Sequence, residues 1–252
     1  MPLLYNGKYD LVKGDHEYSL DGVLIPSVTK ILYHDKVWTI PKKNLEKAAL
    51  VGTKVHDWIE SYINAQMWGY DPDKKPKGFL EENAIKAFQW WVHFKSIKWL
   101  STERTIFSAS RWYAGTADAL AWIDNRLVLI DFKTSGTIYD EYVSQLWAYG
   151  SALEEEGEFC PTHRLIVRLD KRKGIAEEHL SFGDMGKDKW EEKFESFKSA
   201  ADNRDRSGDD PDCHKQESQG IESSDSTFHI DQTADNRMET QERNLDSNTG
   251  TE

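Results

Sequence analysis

The aromatic residues of this 252-residue chain are confined to its first 200 positions, and this distribution limits what the chain can fold into. All ten Trp, all ten Tyr and nine of the ten Phe precede residue 201. Residues 201–252 contain 14 Asp and Glu against 5 Lys and Arg, with Phe228 as their single aromatic residue. Because such a segment has too little apolar surface to offset the entropy lost on folding, we predict one folded domain over 1–200 and a disordered acidic tail over 201–252.

Composition and charge then exclude several classes of protein. The net charge of −12 falls mostly in the tail, since residues 1–200 carry 27 basic and 30 acidic groups, so a nucleic-acid partner is not excluded. Apolar runs are far shorter than the roughly 20 residues that cross a bilayer, and charges interrupt the start of the chain where a secretion signal would be apolar. Two cysteines, Cys160 and Cys213, are too few for a disulfide scaffold or a four-cysteine cluster. We expect a cytoplasmic protein without a membrane partner, encoded by a bacterium or a phage rather than mitochondrial.

The periodicity of apolar residues predicts an α/β fold. A hairpin with an Asp21-Gly22 turn opens the domain, and Ser27 or Thr29 then caps a short helix. Segments with helical spacing follow at 45–63, 80–98, 139–153 and 187–200. Segments that read as strands are 105–108, 115–123, 127–132, 165–169 and 175–180. This order predicts a central mixed sheet with helices on its faces.

One predicted hairpin brings two carboxylates and a lysine together. If Asp124 and Asn125 form its two-residue turn, the register places Asp118 opposite Asp131, with Cβ atoms roughly 4.5–5.5 Å apart. Lys133 lies two positions further and projects to the same face. Two buried carboxylates repel each other, and a divalent cation such as Mg²⁺ relieves that repulsion by binding oxygens of both. The arrangement suits metal-assisted phosphodiester hydrolysis, with Lys133 orienting a water or stabilising charge that develops on the phosphate.

Residues on two predicted helices strengthen this interpretation. An Asp-x-Lys tripeptide alone is a weak signal, because an Asp at a strand end is commonly a turn former or an ion-pair partner. Gln145 and Tyr149 lie four apart and share one face of the following helix. Gly52 and His56 are also four apart on the first long helix, although a core histidine bonded to a backbone carbonyl is the simpler interpretation of His56 by itself.

Taken together, four motifs resemble those of the RecB-like branch of the PD-(D/E)XK nuclease superfamily: Gly-x-x-x-His, Gly-x-x-Asp, apolar-Asp-x-Lys and Gln-x-x-x-Tyr. The matching residues are Gly52 and His56, Gly115 and Asp118, Asp131 and Lys133, and Gln145 and Tyr149. The stretch over 26–152 resembles small single-domain members, among them phage and prophage exonucleases and the mitochondrial genome maintenance exonuclease. The resemblance implies a restriction-endonuclease-like core.

The resemblance also implies a metal site. His56, Asp118 and Asp131 would bind Mg²⁺ or Mn²⁺, with the backbone carbonyl of Phe132 as a further ligand. Asp118, Asp131 and Lys133 would be the catalytic residues. The chain departs from relatives that hold an iron–sulfur cluster, because it lacks the four cysteines. It also lacks the phosphate-binding loop of the RecB helicase parts, so we expect no use of ATP.

Three further residues have roles that the resemblance implies. Gln145 and Tyr149 would bind the substrate by positioning the scissile strand, or would support the site. Members of the family also tend to carry an acidic residue on the preceding strand, and Glu103 is the candidate for it.

We therefore expect a Mg²⁺- or Mn²⁺-dependent deoxyribonuclease, an exonuclease acting at single-stranded DNA ends in recombination, repair or replication. Two alternatives stay open: a structure-specific endonuclease with the same site, and a DNA- or partner-binding module that keeps the fold without cleaving. Basic residues that could contact phosphates are Lys42, Lys43, Lys47, Lys54, Lys171, Arg172 and Lys173. Aromatic residues on which bases could stack are Trp112, Tyr113, Tyr139, Tyr142 and Trp147. Protein partners are not predicted.

Overall fold

The computed structural model of the chain describes residues 3–5, 9–13, 17–37 and 39–207. The strands in these residues are β1 (Leu3–Tyr5), β2 (Tyr9–Lys13), β3 (Tyr18–Leu20), β4 (Val23–Ile25), β5 (Ile97–Ser108), β6 (Tyr113–Ile123), β7 (Arg126–Lys133), β8 (His163–Asp170) and β9 (Ile175–Phe182). The helices are α1 (Val28–Leu32), α2 (Lys42–Trp68), α3 (Phe79–His93), α4 (Asp140–Glu156) and α5 (Lys187–Ser207). Helix α5 continues into the predicted acidic tail, and the rest of that tail, 208–252, lies outside the described residues.

A five-stranded mixed sheet forms the centre of the fold, in the order β5-β6-β7-β8-β9. Strands β7 and β8 are parallel, and the other neighbouring pairs are antiparallel. Parallel neighbours require a crossover connection, and α4 provides it between β7 and β8. The predicted α/β class with a mixed central sheet is therefore confirmed.

Helices cover both faces of this sheet, and the alternation of side chains along β7 explains why. Val128, Ile130 and Phe132 are buried against α2 and α3, where Phe88 is fully enclosed. Leu129 points to the other face and is buried in the core formed with α1, α4 and α5. Because successive side chains of a strand point to opposite faces, residues 131 and 133 follow Leu129 to the side that α4 covers.

A second, four-stranded antiparallel sheet, β1-β2-β3-β4, precedes these elements. The predicted first hairpin is present as β3 and β4, with Tyr18 opposite Ile25. Strands β1 and β2 were not predicted from the sequence. Ser27 caps α1 by accepting a hydrogen bond from the Lys30 amide at 3.0 Å, and the Ala114 amide donates to the Pro26 carbonyl at 3.1 Å. This bond joins the segment after β4 to the start of β6.

The second long helix is shorter than predicted. Helical spacing suggests a helix over 80–98 with Phe94 on its buried face, but α3 ends at His93. Ile97 already pairs with Ile123 as the first residue of β5, and Phe94 is 72 % exposed. Pairing with β6 therefore outweighs the local helical period at this point.

The first long helix is longer than predicted, and only its second half is buried. Val55, Ile59 and Ile63 lie in the core, whereas Ala48, on the same predicted apolar stripe, is exposed. Although α2 has 27 residues, no helix among the described residues is both long and apolar enough to cross a membrane.

Candidate metal centre

The β6–β7 hairpin has the register that the sequence predicts. Asp124 and Asn125 have φ values of +48° and +61°, the left-handed conformation of both central residues in a type I′ turn. Ile123 therefore pairs with Arg126, and the ladder continues to Ala119 and Ile130. The next residues along the two strands are Asp118 and Asp131, and the charge of Asp118 is close enough to raise the pKa of Asp131.

A histidine and two carboxylates converge at this point from three elements. Ligand atoms of His56 on α2, Glu103 on β5 and Asp118 on β6 all lie within 4.8 Å of one another. His56 Nδ1 is 3.4 Å from Asp118 Oδ2. The same Oδ2 accepts a hydrogen bond from the Phe132 amide at 2.7 Å, which fixes the carboxylate against β7. We call His56, Glu103 and Asp118 the triad.

The backbone of Glu103 is unusual for a residue inside a strand. Its φ is +47°, a left-handed conformation that costs a non-glycine residue about 1–3 kcal/mol and is concentrated at functional sites. Its neighbours in β5 pair with the residues on either side of Asp118, Thr102 with Ala119 and Arg104 with Ala117. Glu103 is thus held across from Asp118, which brings the acidic residue expected on the preceding strand into the triad.

Asp131 and Lys133 form a buried ion pair beside the triad. Lys133 Nζ donates a hydrogen bond to Asp131 Oδ1 at 2.9 Å and lies 2.7 Å from Oδ2. The contact with Oδ2 lacks hydrogen-bond geometry, so this buried oxygen carries no hydrogen bond. Asp131 is only 1 % exposed, and burial raises its pKa to about 6, against the opposing effect of Lys133 and with a further rise from Asp118.

The groups around Asp118 favour its ionised form. Burial alone would raise the pKa of Asp118, but His56, Lys133 and the Phe132 amide together lower it below its ordinary value. Burial by itself would lower the pKa of His56, but the negative charges of Asp118 and Asp131 raise it. The pKa of Lys133 is raised because Asp131 and Asp118 outweigh its desolvation. Adjacent aspartates in one hairpin therefore have opposite pKa shifts.

Gln145 and Tyr149 are brought to the site by α4, but Tyr149 lies in the core. Gln145 Nε2 donates to the Tyr149 hydroxyl at 2.8 Å, and Tyr149 is 3 % exposed. A Cβ at Gly115 would collide with the Tyr149 ring, which explains why the Gly-x-x-Asp motif begins with glycine. Gly52 brings α2 close to the segment after β7, where a Cβ would lie 3.4 Å from Thr134 Oγ1. The geometry favours a supporting role for Tyr149.

Several residues beside the site had no signal in the sequence. Arg168, 5 % exposed on β8, donates to the carbonyls of Ser135 and Gly136 at 3.3 Å each and so holds the segment after Lys133. Tyr33 and Lys36 follow α1 and reach the same side of the site. They lie about 100 residues before Lys133 in the sequence, so only the tertiary fold brings them near it.

The aromatic residues that the sequence predicts to stack on bases differ in how far they are exposed. Tyr113 is fully buried and Trp147 is 8 % exposed, so neither can stack on a base. Tyr139 is 45 % exposed and Trp112 is 42 % exposed. Among the predicted basic contacts, Lys42, Lys43, Lys47 and Lys54 are exposed on α2.

The residues present fit a divalent cation of the Mg²⁺ or Mn²⁺ kind. The triad offers carboxylate oxygens, which Mg²⁺ and Mn²⁺ prefer, and one imidazole nitrogen. The buried Asp131 carboxylate, paired with Lys133 at 2.7 Å, is a further oxygen donor near this group. No family model matches the sequence, and no curated protein is significantly similar to it. A functional assignment therefore depends on the chemistry of these residues.

Proposed function

We propose that the protein is a Mg²⁺- or Mn²⁺-dependent deoxyribonuclease, an exonuclease that hydrolyses phosphodiester bonds at single-stranded DNA ends. The observation that carries this proposal is the convergence of His56, Glu103 and Asp118 within 4.8 Å of one another, next to the buried Asp131–Lys133 ion pair. We further propose that the five-stranded sheet and its helices are a restriction-endonuclease-like core of the RecB-like PD-(D/E)XK kind. The order of the motifs along the chain and their meeting across the neighbouring strands β5, β6 and β7 support this assignment.

Each residue of the site has a defined task in such a reaction. His56, Glu103 and Asp118 would hold the cation, which would polarise the phosphate and lower the pKa of a bound water. The Phe132 amide keeps the Asp118 carboxylate in place through its hydrogen bond of 2.7 Å. Lys133 places a positive charge where negative charge develops as water attacks phosphorus and the bond to the departing sugar oxygen breaks.

The charge distribution allows a DNA strand to approach this site. The acidic excess of the chain lies mainly beyond residue 200, and residues 1–200 are close to neutral. Lys42, Lys43 and Lys47 lie on the exposed first turns of α2, the helix that also supplies His56. Exposed lysines on this helix can contact phosphates of a strand whose end reaches the triad.

The proposal is tested with labelled single-stranded and double-stranded DNA, linear and circular, incubated with Mg²⁺, Mn²⁺ or EDTA. We expect mononucleotides from linear single strands with either metal and no product in EDTA. Asp118→Asn should abolish the products, and Asp57→Asn, on the exposed side of α2 next to His56, is the matched control that should not. Absence of metal-dependent cleavage of every substrate would refute the proposal.

A structure-specific endonuclease with the same site is the second candidate. It is favoured by the partial exposure of the half-buried triad, in which the His56 side chain is 27 % exposed. Cleavage of circular DNA in the same experiment would assign the protein to this class instead.

A further inference from the structure

Beside the ion pair, four side chains from two distant segments form a connected surface. Lys36 Nζ lies 4.8 Å from the centroid of the Tyr33 ring and 5.6 Å from that of Tyr139. The rings of Tyr139 and Tyr142 meet edge to face with centroids 5.4 Å apart. We call Tyr33, Lys36, Tyr139 and Tyr142 the rim. It joins the segment after α1 to the first turn of α4.

The rim is continuous with the proposed catalytic lysine. Lys133 Nζ lies 4.9 Å from the centroid of the Tyr142 ring and is bonded to Asp131 on its other side. Three successive contacts, each shorter than 6 Å, therefore lead from Asp131 through Lys133 and Tyr142 to Tyr139. Tyr139 is thus connected to the ion pair through direct side-chain contacts.

We propose that the rim binds one unpaired nucleotide next to the phosphate that is cleaved, with its base stacked on Tyr139 and its phosphate paired with Lys36. This inference rests on the proposed function and specifies its substrate, because a base that stacks on a side chain has left the duplex. Aromatic stacking of bases combined with a nearby cation is the usual means by which proteins hold single strands without reading their sequence.

Burial and charge favour a nucleotide as the occupant of the rim. Tyr139 is 45 % exposed, whereas Tyr113 and Trp147, two other aromatic residues close in sequence to the site, are buried. Of the two carboxylates that follow Tyr139, one is offset by Lys189, whose Nζ lies 3.3 Å from Glu141 and 3.9 Å from Asp140. Lys36, whose charge also lowers the pKa of the Glu141 carboxyl, holds its ammonium 5.6 Å from the centroid of this exposed ring.

The test measures binding, independently of cleavage, with a fluorescein-labelled twelve-nucleotide single strand of thymidine and Ca²⁺ in place of Mg²⁺. Tyr139→Ala should weaken binding at least about fivefold, the lower end of base–aromatic stacking, and Tyr139→Phe should restore it. Lys36→Gln should reduce the slope of log affinity against log salt by about 0.7, the value for one lost phosphate contact to a single strand. Tyr70→Ala and Lys77→Gln, exposed residues of the connection between α2 and α3, are the matched controls.

Abasic substitution locates the contact. An abasic site is introduced at each position of the oligonucleotide in turn, and at one position it should weaken wild-type binding as much as Tyr139→Ala does. The two changes should not add at that position, since both remove the same stacked pair.

The outcomes separate this inference from the proposed function. Three results would overturn the rim proposal even if the protein cleaves DNA. The first is that the effects of the abasic site and of Tyr139→Ala add fully at every position. The others are that Tyr139→Ala and Lys36→Gln bind the single strand as well as the wild type, or that the wild type does not bind it. Tyr139-dependent binding without any Mg²⁺-dependent cleavage would support a nucleotide-binding rim and would refute the nuclease.

Discussion

The two aspartates of the β6–β7 hairpin lie side by side, yet their surroundings give them different properties. Asp118 faces His56 and Glu103 and accepts the Phe132 amide, and its pKa is lowered. Asp131 is more deeply buried, its pKa is raised to about 6, and its partner is Lys133. Environment, not residue type, assigns roles to paired carboxylates. We infer that the Asp118 side binds the cation and that the Asp131 side positions the lysine.

The largest expected effect is on hydrolysis, and it comes from replacing Lys133 while metal binding is measured separately. Lys133→Met should lower kcat about 10²- to 10³-fold, as loss of one preorganised charge-stabilising donor does, while Mn²⁺ binding is retained because the triad is intact. The measurement is single-strand hydrolysis together with Mn²⁺ titration. Lys98→Met, an exposed lysine on β5, is the control. Activity of Lys133→Met near the wild-type level would contradict the role of this lysine.

On the other side of the site, Asp118→Asn should weaken Mn²⁺ binding more than the about 10- to 100-fold that loss of an outer-shell partner causes. Asparagine keeps an oxygen that can accept the Phe132 amide, so the fold is preserved. Mn²⁺ titration followed by electron paramagnetic resonance measures the affinity, and circular dichroism checks the fold. If Asp118→Asn bound Mn²⁺ as well as the Asp57→Asn control, the triad would not be the metal site.

A pH dependence is expected because metal ligands must be deprotonated. The negative charges of Asp118 and Asp131 raise the pKa of His56, so this member of the triad keeps its proton to higher pH than an ordinary histidine. Mn²⁺ affinity should therefore fall as the pH is lowered through the range in which His56 takes up its proton, by about tenfold per pH unit for that one proton. Calorimetry in buffers of different ionisation enthalpy counts the protons released. Affinity that is constant between pH 5 and pH 8 would contradict the role of His56 as a metal ligand.

The smallest effect concerns the support of the site. Gly115→Ala should destabilise the fold by about 1–3 kcal/mol, the usual cost of overpacking a filled core, because its Cβ would collide with the Tyr149 ring. Gly136→Ala is the control, since a Cβ there meets no atom within 4 Å, and should change stability by less than about 0.5 kcal/mol. Thermal or urea unfolding compares the two variants. Equal stabilities would mean that Tyr149 does not need the space at Gly115.

The hairpin that carries both aspartates could be predicted from the sequence because its determinants are local. The turn residues Asp124 and Asn125 fix the register, and the period of two places Asp131 and Lys133 on one face. The α/β order follows from the same periodicities. Glu103 was predicted only through the family resemblance. Its position in the triad depends on a left-handed backbone conformation, which no sequence pattern predicts.

The parts that could not be predicted depend on contacts between distant segments. Lys36 meets Tyr139 only after the segment following α1 packs beside α4. Phe94 was expected in the core because the helical period continues past His93, but strand pairing from Ile97 ends the helix. Tyr113 and Trp147 share the local sequence character of Tyr139, and only the sheet and its helices decide that they are buried.

The most direct test of the account is the anomalous diffraction of crystals soaked in Mn²⁺. We predict a manganese peak among the side chains of His56, Glu103 and Asp118, beside Asp131, that disappears in Asp118→Asn and persists in Lys133→Met. A peak elsewhere, or none at this position in the wild type at millimolar Mn²⁺, would contradict the assignment of a metal-dependent nuclease site.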